Sequence, residues 1–251
     1  MTGPTVDMNT DDAWEEWGRR DPYFGVITNP KNRRREMNET DKREFFESGE
    51  WHVNYVMKTI HDHIDPVFKP GSILDFGCGV GRTLVSFAPM APQVIGLDVS
   101  ISMLHEASGN CRERGLSNVQ LHPSDDALSA LTVPLDMMHS CIVFQHIAPA
   151  RGRLIFSRLL THLAPRGIGA FQFLYSKSQY ANTHGIAPPT VAPIVAPQTG
   201  APSDSDPEIQ MNPYNLNEIF FLIQAAGAHR VYADFTDHGG ELGVFLFFQL
   251  G

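Results

Sequence analysis

Cysteine is scarce in this 251-residue chain, and its three copies, Cys78, Cys111 and Cys141, are odd in number. Their spacing matches no zinc or redox motif, which excludes a disulfide framework and fits a reducing compartment. Long apolar runs are missing too. Nothing approaches the roughly 20 residues of a membrane span, and the polar, acidic N-terminus has no apolar signal core. An excess of positive charge is also absent: Lys and Arg number 19 against 28 Asp and Glu, a formal net charge of -9. An acidic chain offers no electrostatic footprint to a phosphate backbone; the short basic run KNRRRE (Lys31 to Glu36) reads as a solvated loop. No internal repeat stands out. These absences predict a soluble, cytoplasmic protein with neither membrane nor nucleic acid as partner. With 42% hydrophobic and 19% charged residues, the chain can build a substantial core, and its length suits one α/β domain with additions.

Residues 1–70 read as a helical, turn-interrupted N-terminal cap. Trp14 and Trp17, three apart, share a helical face. Pro22, Gly25 and Pro30 break the next stretch. From Asp41 to Ile64, Val53, Val56, Met57, Ile60 and Ile64 recur at helical spacing, with Gly49 expected to split that helix in two. After Pro70-Gly71 the texture changes, and residues 71–251 read as one α/β domain. Strands are predicted at SILDF, QVIGLD, VQLH, LDMMHSCI and GIGAFQFLYS. Helices are predicted at ISMLHEASGNCRERG, capped by Ser100, and at ARGRLIFSRLLTHLAP, stopped by Pro165 and Gly167. Such alternation implies a mostly parallel, doubly wound sheet with right-handed crossovers. Residues 176–213 hold seven prolines and no period, and read as an insertion. The chain then closes with the helix LNEIFFLIQAAG and two strands joined at Asp237-His238-Gly239-Gly240, a hairpin.

The stretch LDFGCGVGR, Leu74 to Arg82, carries the chemistry. It follows a strand and opens a helix, where glycine permits unusual backbone angles and lets a ligand approach the main chain over free N–H groups. The dinucleotide fingerprint is G-x-G-x-x-G/A. Here Gly77, Gly79 and Gly81 alternate, and Arg82 fills the fingerprint's last position, which disfavours a nicotinamide cofactor. Asp75, beside the loop, would repel a pyrophosphate and welcome an ammonium group. Asp98 ends the second strand, placed to accept from both hydroxyls of a ribose. After the third strand, Asp125 or Asp126 is placed to accept from an adenine amine, the other capping a helix expected near Ala127; Asp125 is the favoured adenine partner.

Together LDFGCGVGR, VIGLDVS, SDDALSAL and LDMMHSCIVFQHI resemble the class I S-adenosylmethionine-dependent methyltransferases over roughly residues 70–175. The resemblance implies a Rossmann-like, seven-stranded sheet with an antiparallel last strand. It places Asp75, Gly77 and Gly79 around the methionine part of the cofactor, Asp98 at the ribose, Asp125 or Asp126 at the adenine, and Ser140 and Cys141 at the methyl-donor end. Cys78, Gly81, Val99 and Met103 complete the expected contact set for S-adenosyl-L-methionine and its product S-adenosyl-L-homocysteine. The expected activity is methylation of a small-molecule acceptor, at oxygen by preference. Aminopropyl transfer and a non-catalytic cofactor-binding module stand as alternatives. Candidate general bases are His146, His238 and Tyr175, all predicted at the carboxyl edge of the sheet. Trp17, Tyr23, Phe24 and Phe46 are candidates for an aromatic flap. His61 and His63, two apart, do not share a helical face, and no metal is expected.

Overall fold

The computed structural model describes residues 10–179 and 206–251. Its helices are α1 (Thr10–Arg20), α2 (Pro22–Val26), α3 (Glu39–His63), α4 (Leu84–Phe87), α5 (Ile101–Glu113), α6 (Pro149–Thr161) and α7 (Leu216–Ala225). Its strands are β1 (Ser72–Phe76), β2 (Gln93–Asp98), β3 (Val119–Pro123), β4 (Leu135–Ser140), β5 (Leu163–Lys177), β6 (Ala228–Asp237) and β7 (Glu241–Leu250). The strands form one seven-stranded sheet in the order β3-β2-β1-β4-β5-β7-β6. Only β7 is reversed, running antiparallel to both β5 and β6. The chain winds outward from β1 to β3, then returns to lay β4 on the other side of β1. That reversal opens a crevice beyond the carboxyl ends of β1 and β4, the usual ligand position in such sheets.

Both faces of the sheet are apolar because helices cover both. Ile73, Met137, Ile168, Ala170, Phe245 and Phe247 pack with Val53, Val56 and Ile60 of α3. Leu74, Met138, Phe171, Phe173, Leu246 and Phe248 pack with Ile155 and Phe156 of α6 and Ile219 and Ile223 of α7. Neighbouring residues of β1, β5 and β7 thus go to opposite cores, as the two-residue period of a strand requires.

Several boundaries differ from expectation. The helix from Glu39 to His63 is continuous, started by a capping box of Asn38 and Asp41. Gly49 does not interrupt it. A Cβ at Gly49 would lie 2.1 Å from the carbonyl oxygen of Arg82, so the glycine serves close approach between α3 and the glycine loop. Trp17 and Trp14 separate: Trp17 is fully buried against Phe24, while Trp14 is half-buried. α6 ends at Thr161, and the chain is already in β5 at Pro165. The helix expected near Ala127 is absent; Leu128 turns there with φ 56°. Of the segment 176–213, residues 180–205 lie outside the described residues.

Candidate active site

A cleft of about 840 Å³, its open mouth included, lies over the carboxyl ends of β1, β2 and β4. Gly77, Gly79, Asp98, Val99 and Met103 line one wall, Ser124 and Asp126 continue it past β3, and Cys141, Ile142 and Val143 follow β4. Thr10, Asp11 and Trp14 of α1 form its roof.

All three loop glycines have positive φ: 74° at Gly77, 53° at Gly79 and 86° at Gly81. Added Cβ atoms would lie 2.3 Å from Val143 at Gly77 and 2.7 Å from Val26 at Gly79. The floor therefore exists only with glycine at both positions. Gly81 faces Ala107 of α5 and is not part of the wall. The N–H groups of the loop are not free as expected. Gly77 and Cys78 donate to Leu97 O at 2.8 and 3.0 Å, Gly79 to Asp98 Oδ2 at 2.8 Å and Gly81 to Cys78 O at 2.9 Å. The following helix, α4, is only four residues long. The loop is stitched to β2 rather than held open for an anion.

The acids have different fates. Asp98 lines the cleft, and its two oxygens accept from Gly79 N and, at 2.9 Å, from Ser100 N. Burial pushes its carboxyl up to about 6, against the pull of those two N–H groups. Asp75 is 2% exposed and not on the cleft wall. Its oxygens take the Thr83 hydroxyl at 2.7 Å and His139 Nδ1 at 2.8 Å, so the structure does not bring it to an ammonium site. The preference between Asp125 and Asp126 reverses. Asp125 is exposed and caps a turn by accepting from Ser129 N at 2.9 Å, which holds its carboxyl below the ordinary value. Asp126 lines the cleft.

Asp126 is also part of a clamp on α1. Arg151 donates to both its oxygens and makes a two-pronged pair with Asp11, each bond 2.7 Å long. At the other flank, Glu15 accepts from the Ser100 and Ser102 hydroxyls and from Ser102 N. Thr10 donates to His146 O at 2.9 Å, and the Trp14 ring lies 5.0 Å from the His146 ring. The flap is thus made by Trp14, while Trp17, Tyr23, Phe24 and Phe46 pack in the core beneath it.

Among the candidate bases only His146 reaches the cleft. It is buried, its Nδ1 lies 2.7 Å from Gln210 O, and burial pushes its pKa down to about 4. A neutral ring donating from Nδ1 leaves Nε2 as the basic nitrogen. Tyr175 packs edge-on against Phe235, and exposed His238 lies 3.3 Å from Gln172 Nε2 on the hairpin; neither lines the cleft. Nor do Cys78 and Ser140. Cys78 is buried against the strand at Gly96, and the Ser140 hydroxyl donates to Phe76 O at 3.0 Å. Cys141 lines the wall, its thiol pushed up to about 12 by burial and therefore protonated at neutral pH.

Sequence reasoning missed Trp14, Asp11, Arg151 and Arg82. Only Arg82 had a signal, its place at the end of the glycine stretch. It also missed a buried chain of side chains: Thr83 to Asp75, Asp75 to His139, and His139 Nε2 to His52 Nε2 at 2.9 Å. Burial pushes His52 down to about 2.

Residues 73–167, which carry the loop, Asp98, Asp126 and Arg151, match the methyltransferase-domain family model. The matched segment is similar to a methyltransferase domain, and the sheet that carries it is Rossmann-like. Over 193 residues the chain is 25% identical to a 23S rRNA (uracil(1939)-C(5))-methyltransferase of Marinomonas sp., covering 70% of this chain and 38% of that protein. Over 117 residues it is 30% identical to the tRNA 5-carboxymethoxyuridine methyltransferase of Escherichia coli, covering 45% of this chain and 41% of that protein. The chain thus spans about two fifths of the length of these curated relatives. The magnesium protoporphyrin IX methyltransferase of Synechocystis, solved with bound S-adenosylhomocysteine, superposes with a TM-score of 0.65 at 17% identity over 96% of this chain and 98% of that one. At that identity the likeness speaks for the fold. Two of these relatives act on RNA, so the comparisons do not support the charge-based exclusion of nucleic acid. Among the described residues no helix is long and apolar enough to cross a membrane.

Proposed function

We propose that this protein transfers the methyl group of S-adenosylmethionine to an oxygen of a small-molecule acceptor, with residues 1–70 as a cap over the cofactor. The observation that carries the cofactor reading is Asp98, a carboxylate at the end of β2 facing a cleft whose floor requires glycine at 77 and 79. These residues fit the group: Asp98 would take the ribose hydroxyls, Asp126 and Ile155 would border the adenine, and Cys141 would border the methyl end. When bound, the cofactor supplies an electrophilic methyl group on a sulfonium. The chain's own part is to orient and to exclude water. Trp14 and the Arg151 clamp close the roof, and His146 Nε2 would receive a proton from an acceptor hydroxyl. A small acceptor is favoured by the chain's net charge of -9, which offers little attraction to a phosphate backbone.

A second reading, an RNA acceptor, draws on two relatives that are an rRNA and a tRNA methyltransferase. The test is transfer of labelled methyl from S-adenosylmethionine into a metabolite fraction and into total RNA, with an Asp98→Ala control. Label in the metabolites supports the proposal. Label confined to RNA overturns the small-molecule assignment, and label in neither fraction counts against the transferase itself.

A further inference from the structure

Ile142, two residues past the end of β4, is held at φ 59°. That left-handed angle is an outlier for a β-branched side chain. Among the described residues Leu128 and Arg166 also have positive φ without being glycine, but of the three only Ile142 lines the cleft. Strained backbone persists only where its surroundings fix it. Here the fixing group is the side chain of Gln172 on β5, which is 5% exposed. Its Oε1 accepts from Ile142 N at 2.9 Å and from the Cys141 thiol at 3.3 Å. A backbone N–H can only donate, so Oε1 is the amide oxygen and Nε2 the amino group. Nε2 is left to meet His238 Nε2 at 3.3 Å, a long contact with an exposed ring. The hold on the turn therefore runs through Oε1.

The turn after β4 carries three parts of the site. Cys141 and Ile142 are cleft wall. Val143 fills the space over Gly77, where a Cβ would lie 2.3 Å from it. The Val143 carbonyl accepts from His146 N at 2.9 Å, so the imidazole in the cleft rides on the same turn. Gln172 does not itself line the cleft. The β2 side is fixed independently of it, since Gly79 N and Ser100 N both donate to Asp98.

We propose that Gln172 is a positioning residue: by holding the Cys141–Val143 turn in its strained form, it sets the acceptor side of the cleft, and with it His146, and leaves the nucleoside side alone. The inference rests on reading the cleft as a methyltransferase site. Misplacement by about 1 Å, caused from outside the reacting groups, can cost about 100-fold in rate.

The test compares the full chain as wild type, Gln172→Leu, which removes the acceptor for Ile142 N, and Gln172→Glu, which keeps one. Three quantities are read: transfer of labelled methyl from S-adenosylmethionine into a metabolite fraction, calorimetric affinity for S-adenosylhomocysteine, and the rate at which a fluorescent maleimide labels Cys141, with Cys141→Ser as blank. Gln172→Leu is expected to lose about 10- to 100-fold in transfer rate and less than about 3-fold in S-adenosylhomocysteine affinity, while Cys141 is labelled about 10-fold faster. Gln172→Glu is expected to keep transfer within about 5-fold of wild type. Unchanged transfer in Gln172→Leu, a loss of nucleoside affinity as large as the loss of rate, or a Gln172→Glu as slow as Gln172→Leu overturns the proposal. If wild type transfers no label, the transferase reading fails, and the maleimide rate decides on Gln172 by itself. Faster labelling in Gln172→Leu then supports the hold on the turn, and an unchanged rate overturns it.

Discussion

Asp98→Asn tests the site most directly, because the carboxylate acts on both ligand and loop. Its oxygens already accept from Gly79 N and Ser100 N, leaving their remaining lone pairs for a ribose. The amide removes the charge and one acceptor. Hydrogen bonds to a charged group contribute about 1.5–3 kcal/mol each, so the loss in S-adenosylhomocysteine binding should be about 2–4 kcal/mol, or roughly 30- to 1,000-fold in Kd. The raised pKa, about 6, adds a pH signature. At pH 5 about nine-tenths of the free site is protonated, so wild-type affinity should fall about tenfold from pH 7.5 to pH 5, while Asp98→Asn stays flat. Stability of the unliganded protein moves the other way. The carboxyl titrates near 3.8 when unfolded and near 6 when folded. The native state therefore binds more protons between those values, and this stability contribution is fully present below 3.8 and lost as pH rises through 6. Calorimetry at both pH values, with thermal melts of wild type and variant, reads the two effects. A wild-type Kd independent of pH, or the same tenfold loss in Asp98→Asn, refutes the reasoning.

Gly77→Ala forces a Cβ to 2.3 Å from Val143 at a φ of 74°; it should cost about 1–3 kcal/mol in a thermal melt and abolish nucleoside binding. Arg151→Gln breaks both pairs that hold α1 over the cleft. Since these groups are partly exposed, stability should change by less than about 1 kcal/mol, while stopped-flow Trp fluorescence shows S-adenosylhomocysteine leaving several-fold faster. His146 is held neutral by burial, its pKa lowered from 6.5 to about 4. It should destabilise the fold by up to about 1.4 kcal/mol per pH unit as pH falls from 6.5 to 4. His146→Gln should flatten that part of the stability profile relative to wild type, as read by denaturant titration at each pH.

The order of strands and helices was readable because β1, β2 and β4 are short, mainly apolar runs between turn signals, and each core helix repeats at its own period. The reversed β7 came from the resemblance and from the hairpin at Gly239-Gly240. What escaped was set by contacts distant in sequence. Nothing near Gly49 announces that Arg82 will rest on it. Trp14 and Trp17 differ by three residues, yet one meets His146 and the other Phe24. Arg151 joins Asp11 and Asp126, which lie 140 and 25 residues away.

The two aspartates at strand ends show where a residue-type argument stops. Asp75 and Asp98 look equivalent in sequence: each follows apolar strand residues and precedes a turn. The register separates them. Asp75 pairs with Gly96 and Phe76 with Leu97, so Asp98 projects one position past the end of β1. Asp75, one residue short of that end, points into the α3 face. There His139, its partner on β4 in the same register, meets it, and Thr83 closes the other side. Asp98, still level with Pro123 of β3, has passed the last level paired with β1, and its carboxylate accepts from two backbone N–H groups. A carboxylate whose oxygens take side-chain donors inside the core becomes part of the scaffold. One held only by two N–H groups at the rim keeps lone pairs for a ligand. In this cleft a single step of strand register decides which acid belongs to the fold and which to the chemistry.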